Sequence, residues 1–147
     1  RRHDERTPPR DNGPVDSAIV ELHTGSRTVT DVTDAVHRYC RDHGDGLCHL
    51  FVPHATAGLA LMETGSGSEA DLADAVERLL PKQDVYQHRH GSTGHGRDHV
   101  LPAFVSPSLV LPVFDGRPAL GTWQSVVVVD TNVDNTTRKL RLSFVPG

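Results

Sequence analysis

Four consecutive valines, Val126–Val129, impose the strongest constraint on how this chain can fold. Successive side chains of a strand point to opposite faces of its sheet, so a strand through this run is apolar on both faces. Helices of the same chain can cover one face, and the other face then needs an opposing sheet or a neighbouring subunit. The run is far shorter than the roughly 18 apolar residues of a membrane-spanning helix, so we predict no membrane segment.

The size and charge of the chain exclude several classes of protein. Its 147 residues are enough for one domain with its own core. The 19 acidic residues outnumber the 15 basic ones, which argues against a nucleic-acid-binding surface because such surfaces need clustered Lys and Arg. The two cysteines are too few for a disulfide framework. We therefore expect a cytoplasmic protein that binds neither nucleic acid nor membrane.

The order of the predicted elements indicates an α+β fold. Residues 1–17 are rich in Arg and Pro, and we expect a disordered arm there, followed by a domain over residues 18–147. Ser68 and Asp71 form a capping-box pattern before an amphipathic helix that ends at Pro81. Another helix is predicted over residues 32–40. The predicted strands cover residues 18–22, 47–52, 59–62, 109–113, 122–130 and 138–145.

A long loop over residues 82–99 contains four of the ten histidines, namely His88, His90, His95 and His99. Loops of this length within a domain usually serve as lids or binding loops. Histidine is the commonest metal ligand and titrates at about pH 6.5, so the loop suits zinc ligation or proton transfer. The alternative interpretation is a solvated polar loop without a chemical role. His95 and His99 would share a helix face only if that turn is helical.

Three further segments carry candidate functional side chains. His54 follows a predicted buried strand and Glu63 lies nine residues later, although a loop histidine near a strand end is an equally good interpretation. Trp123 adjoins Gln124, and an aromatic ring beside an amide suits the binding of a flat heterocycle. A tryptophan buried in the core is an equally good interpretation. The segment Ser106-Pro107-Ser108, together with Arg117 further along the chain, offers hydroxyl and guanidinium donors for a phosphate, and a surface turn explains these residues equally well.

Together these segments resemble the YjbQ family, a widespread group of secondary thiamine-phosphate synthases. The resemblance runs from about Ile19 to the C-terminus. The family's His-Thr-Ser-Ala-Gly-Leu and following Glu are similar to His54-Ala55-Thr56-Ala57-Gly58-Leu59 and Glu63. Its late signature is similar to Asp115-Gly116-Arg117 followed by Leu120-Gly121-Thr122-Trp123-Gln124. His88 and His99 stand where the family has its other two characteristic histidines.

The resemblance implies an antiparallel β-sandwich with two main helices packed outside, assembled as a homotrimer with sites near subunit boundaries. It implies the joining of a pyrimidine diphosphate to a thiazole phosphate with loss of pyrophosphate, assisted by a divalent metal such as magnesium or zinc. The implied catalytic residues are His54, Glu63, His88 and His99, and the three histidines are also the possible metal ligands. The implied contacts to a phosphorylated heteroaromatic substrate are Thr56, Ser108, Arg117, Thr122, Trp123 and Gln124.

Three of the chain's departures from the family pattern replace acidic or amide groups. Ser66 replaces an acidic residue that usually follows Glu63, His90 replaces a Glu, and His95 replaces an Asn four residues ahead of the last histidine. More imidazoles and fewer oxygens favour a softer metal ion. Two alternatives to the synthase therefore remain: a non-catalytic trimer that binds a metal or small ligand, and a metal-dependent hydrolase.

Overall fold

The valine run is the central strand of a three-stranded antiparallel sheet, in the order β2-β7-β4. The computed structural model describes residues 15–83, 85–88 and 91–147. In that part of the chain the strands are β1 (Asp16–His23), β2 (Val29–Asp31), β3 (Gly46–Phe51), β4 (Ala57–Met62), β5 (Ser108–Phe114), β6 (Arg117–Pro118), β7 (Ser125–Asp130) and β8 (Thr137–Pro146). The helices are α1 (Thr33–Cys40), α2 (Ser68–Leu79) and α3 (His95–Asp98), with a 3₁₀ turn at Leu101–Ala103.

Both faces of the valine strand are covered within one chain, and all four valines are fully buried. Val126 and Val128 face the second sheet, in a core shared with residues such as Leu50 and Leu142. Val127 and Val129 face the opposite way, toward the apolar side of α2 and Leu101. The predicted sandwich is therefore confirmed, and the valine run itself does not require a neighbouring subunit.

The second sheet is five-stranded and antiparallel, in the order β1-β8-β3-β5-β6. Its strand β3 places Cys48 in the same core cluster as Cys40 of α1, and both cysteines are free and buried. The strand β1 begins at Asp16, slightly before the predicted domain boundary at residue 18. The predicted arm otherwise lies outside the described residues. No helix in the described part of the chain is long and apolar enough to cross a membrane.

The second predicted helix forms, but its start differs from the predicted capping box. Gly67, in the left-handed conformation at φ 96°, precedes the first residue of α2, and the Ser68 hydroxyl makes no capping hydrogen bond. The carboxylate of Glu69 instead accepts the backbone N–H of Gly65 at 2.7 Å. A glycine can adopt positive φ without steric cost, so Gly67 can make the sharp turn into α2. The helix therefore begins without a side-chain cap.

Strand β4 lies unusually close to the segment after the 3₁₀ turn. A Cβ atom added at Gly58 would lie only 1.9 Å from the carbonyl oxygen of Val105. The N–H of Leu59 donates to the carbonyl of Ser106 at 2.8 Å, which continues the contact. Gly58 is thus needed because its missing side chain lets the segment after the 3₁₀ turn pack directly on the sheet.

Candidate functional site

Three histidines from the predicted binding loop converge in the structure: His88, His95 and His99. Each is partly buried, and one ring nitrogen from each lies within 4.8 Å of the others. The Nε2 atoms of His95 and His99 are 2.9 Å apart. The ring of His88 lies over that of His99, with centroids 4.1 Å apart. We call this group the histidine cluster.

A single helical turn creates the cluster from the sequence. The loop contains α3, so His95 and His99 lie one turn apart on the same side, and the N–H of His99 donates to the carbonyl of His95 at 3.4 Å. Gly91 has φ 81°, and a Cβ atom there would lie 2.6 Å from the His95 ring. The glycines of this loop therefore allow a tight approach of backbone to imidazole that no other residue would permit.

Charged side chains fasten α3 on two sides. On one side the buried guanidinium of Arg97 donates to the Glu77 carboxylate of α2 and to the Leu80 carbonyl. The hydrogen bond from Arg97 holds the pKa of Glu77 below its usual value. On the other side the hydroxyl of Thr131 donates to the buried carboxylate of Asp98 at 2.6 Å. The loop that carries the cluster is thus anchored to both a helix and the turn between β7 and β8.

That turn, residues 131–136, also reaches the cluster itself. Nδ1 of His95 lies 3.3 Å from the amide nitrogen of Asn132 and 3.4 Å from a carboxylate oxygen of Asp134. Hydrogen bonds from Ser92 hold the pKa of Asp134 below its usual value, so its carboxylate is ionised at neutral pH. A carboxylate behind an imidazole is the usual outer partner of a metal-binding histidine.

A buried ion pair lies immediately below the turn. The guanidinium of Arg138 donates to both carboxylate oxygens of Asp130, at 2.5 and 3.3 Å, and to the Thr56 hydroxyl at 2.8 Å. Asp130 in turn accepts the backbone N–H of Asn132 at 2.9 Å. A chain of hydrogen bonds therefore connects the turn beside the cluster to the segment that contains Thr56 and His54.

His54 lies at this end of the sandwich, but it does not belong to the histidine cluster. Its Nε2 accepts the backbone N–H of Lys139 at 2.8 Å. Burial, followed by the positive charge of Arg138, lowers the pKa of His54, so its imidazole is neutral near pH 7. A neutral imidazole has one lone pair, here used at Nε2, and its proton is on Nδ1. The third position of the cluster, expected for His54, is occupied by His95.

Glu63 and His54 lie beyond opposite ends of β4. Six strand residues span about 20 Å, so the predicted convergence of these two side chains does not occur within one chain. Glu63 is exposed and follows β4 directly. The hydroxyl oxygen of its neighbour Thr64 lies 2.9 Å from the hydroxyl oxygen of Ser125 and 2.9 Å from the Asp31 carboxylate. The strand register places Met62 opposite Ser125, and so Glu63 lies near the Trp123 loop. We call this region the tryptophan end.

The predicted substrate-binding residues divide between the two ends. At the tryptophan end Thr122, Trp123 and Gln124 are exposed, Trp123 by 73%. We call the opposite end of the sandwich, which contains His54 and the histidine cluster, the histidine end. Ser108 lies there, opposite Phe51, and its hydroxyl is 2.6 Å from Nε2 of His49. Arg117 is exposed at the far end of β5, in the hairpin with β6. Of the positions that depart from the family, Ser66 is exposed and His90 lies outside the described residues.

The donor set of the cluster suits zinc better than magnesium. Three imidazoles with one open position resemble a catalytic zinc site, whereas magnesium prefers oxygen ligands. In a tetrahedral site with Zn–N bonds of about 2.05 Å, neighbouring nitrogens are about 3.3 Å apart. The 2.9 Å between His95 and His99 would need to widen by a few tenths of an ångström, and the nitrogens now up to 4.8 Å apart would need to approach by about 1.5 Å, a shift that a side-chain rotation of His88 can supply. The residues therefore fit a zinc-like ion.

Four side chains around the cluster were not predicted from the sequence: Asp130, Asn132, Asp134 and Arg138. The available signal was the charged residue that directly follows four buried valines, since a buried carboxylate needs a cation close by. The polar run from Asp130 to Asn135 also indicates a turn stabilised by its own side chains. Nothing local in the sequence shows that this turn meets residues 88–99.

The fold and these motifs define a known class of protein. The family model described as UPF0047 protein YjbQ-like matches residues 18–147, so the chain belongs to that family.

Two curated relatives and one crystal structure illustrate the similarity. The UPF0047 protein Rv2556c of Mycobacterium tuberculosis is 57% identical over 133 residues, which are 90% of this chain and 100% of the relative. A UPF0047 protein of Archaeoglobus fulgidus is 32% identical over 118 residues, covering 80% and 92%. The crystal structure of the hypothetical protein APE1520 from Aeropyrum pernix has a TM-score of 0.82 at 25% identity, covering 90% and 99%.

Proposed function

We propose that this chain is a metal-dependent enzyme whose ion is held by His88, His95 and His99. The observation that carries the proposal is the convergence of three ring nitrogens within 4.8 Å on a partly buried loop. Two features support it further: α3 is anchored on both sides, and a carboxylate stands behind His95. Rigid support of this kind is what a metal centre needs to keep its ligands in place.

The reaction we propose is that implied by the family resemblance, the joining of a pyrimidine diphosphate to a thiazole phosphate. A bound zinc or magnesium ion would neutralise the pyrophosphate leaving group. His54, neutral with its proton on Nδ1, can donate a hydrogen bond to a phosphate oxygen. Trp123 offers an exposed aromatic face for a heteroaromatic ring, with Gln124, Thr122 and Glu63 beside it. The pair of free thiols in the core suits a cytoplasmic location.

The separation of the two ends favours a site completed by a second subunit. Within one chain the tryptophan end and the histidine end lie beyond opposite ends of β4. In the homotrimer that the resemblance implies, the tryptophan end of one subunit would approach the histidine end of its neighbour.

The oligomer is tested by light scattering on dilute protein. We expect a mass near three times the 16.0 kDa of one chain, and a mass near 16.0 kDa would contradict the trimer.

The shared site is tested by co-expressing His99→Ala and Trp123→Ala chains. Mixed trimers should regain activity that neither variant shows alone, whereas inactive mixtures would contradict a shared site.

The reaction is tested by measuring thiamine phosphate formation from the two precursors with purified protein supplied with zinc or magnesium. We expect wild type to form product and His54→Ala to lose a factor of about 100, typical for a group that assists the transition state. His37→Ala is the matched control because His37 is exposed on α1. Equal rates in wild type and His54→Ala would refute the role of His54.

Two other functions remain tied to the same cluster. Three imidazoles around an open position also suit a metal-dependent hydrolase, which a panel of phosphoesters would reveal. If the protein retains metal but converts neither the two thiamine-phosphate precursors nor any phosphoester, the non-catalytic metal-binding trimer is the better description.

A further inference from the structure

Two groups of opposite hydrogen-bonding character lie close to the Nδ1 atom of His95. The amide nitrogen of Asn132 lies 3.3 Å away, and a carboxylate oxygen of Asp134 lies 3.4 Å away. An amide NH₂ group can only donate a hydrogen bond, and an ionised carboxylate can only accept one. Nδ1 can therefore be satisfied both with and without its proton.

The orientation of the Asn132 amide is determined by its other contacts. Its Oδ1 accepts the backbone N–H groups of Asp134 at 2.9 Å and Asn135 at 3.0 Å. Because the oxygen is used by these two donors, the NH₂ group must be the one that faces His95. Asn132 is also 97% buried, so the surrounding structure holds this orientation.

The opposite nitrogen of the same ring also has two possible roles. Nε2 of His95 is 2.9 Å from Nε2 of His99, a distance at which one of the two nitrogens carries a proton. With the proton on His95 Nε2, its Nδ1 accepts from Asn132. With the proton on Nδ1, the ring donates to Asp134 and its Nε2 lone pair points into the cluster.

We propose that Asn132 and Asp134 form a tautomer selector for His95, in which Asp134 is the positioning residue that prepares Nε2 to bind a transition metal such as zinc. The inference rests on the proposed metal site and adds to it. His95 stands where the family pattern has an Asn, so this chain supplies both an additional imidazole and its carboxylate partner. Asn132 satisfies the same ring when the metal is absent, so the cluster keeps its shape in both states.

The test measures zinc affinity by competition with a chromophoric chelator, in wild type and in Asp134→Asn. An amide cannot accept the Nδ1 proton as strongly as a carboxylate, so we expect zinc affinity to fall by about 10- to 100-fold. Asp42→Asn, which makes the same charge change at an exposed position after α1, is the matched control and should bind zinc like wild type. The melting temperature of the metal-free protein should be the same in all three.

A spectroscopic measurement separates positioning from a general structural effect. Long-range ¹H–¹⁵N correlation spectra of histidine-labelled protein distinguish the two neutral tautomers. In zinc-loaded wild type we expect the His95 proton on Nδ1. Equal zinc affinity in wild type and Asp134→Asn, or a His95 proton on Nε2 in the zinc-loaded protein, would overturn the selector while leaving the metal site intact. Failure of wild type to bind zinc would overturn the proposed metal site and the selector with it.

Discussion

Replacing His99 with alanine is expected to weaken zinc binding on the order of 100-fold. A four-ligand structural zinc site is worth roughly 10–16 kcal/mol, which is about 2.5–4 kcal/mol per ligand, and the lower part of that range corresponds to about 100-fold in affinity. His99 is central to the cluster, since its Nε2 lies 2.9 Å from Nε2 of His95 and its ring contacts that of His88, with centroids 4.1 Å apart. The same variant should lose the metal-dependent activity.

Elemental analysis of untagged protein, together with chelator competition, measures this effect. His37→Ala, an exposed histidine on α1, should retain the wild-type metal content and controls for the loss of any imidazole. The metal-free His99→Ala protein should still unfold cooperatively, because α3 keeps its anchors at Arg97 and Asp98. Wild-type zinc affinity in His99→Ala would remove the cluster as the metal site.

The second large effect concerns the valine strand. An aspartate at Val127 or Val128 would bury an unpaired carboxylate, since both positions are fully buried on opposite faces of β7. The cost is several kcal/mol, on the order of the whole stability of one domain. We therefore expect both variants to be largely unfolded or insoluble.

Urea denaturation followed by circular dichroism checks this prediction. Val110→Asp is the matched control, because Val110 is a strand valine with 51% of its surface exposed. It should shift the free energy of unfolding by only a few tenths of a kcal/mol in the monomer. Val127→Asp or Val128→Asp protein with wild-type stability would mean that β7 is not buried on both faces.

The fold was largely predictable because its strongest signals are local. Val126–Val129 predict a strand covered on both faces, and the amphipathic pattern after Ser68 predicts α2. The predicted start of β7 at Thr122 was too early, because residues 121–124 form an exposed turn before Ser125. Short elements such as β2 and α3 were missed, since three or four residues carry too little periodicity to detect.

The site was only partly predictable, because long-range pairing decides which segments meet. The family pattern predicts a shared site for His88 and His99, and these two side chains do lie together. The extended strand β4 separates Glu63 from His54, as a strand lying between two residues must. The contact of the turn carrying Asn132 and Asp134 with His95 is long-range and does not follow from spacing along the chain.

The local origin of the histidine cluster has a thermodynamic consequence. Its three members lie within residues 88–99, so an unfolded chain needs to close only a short loop to bring them around an ion. Metal that binds the unfolded state offsets part of the stabilisation gained by the folded state. In the proposed metal-bound protein, the preorganisation supplied by α3 and by the turn between β7 and β8 would favour the folded chain as the chelator. Metal loading would therefore stabilise the fold by less than the full binding free energy of the ion.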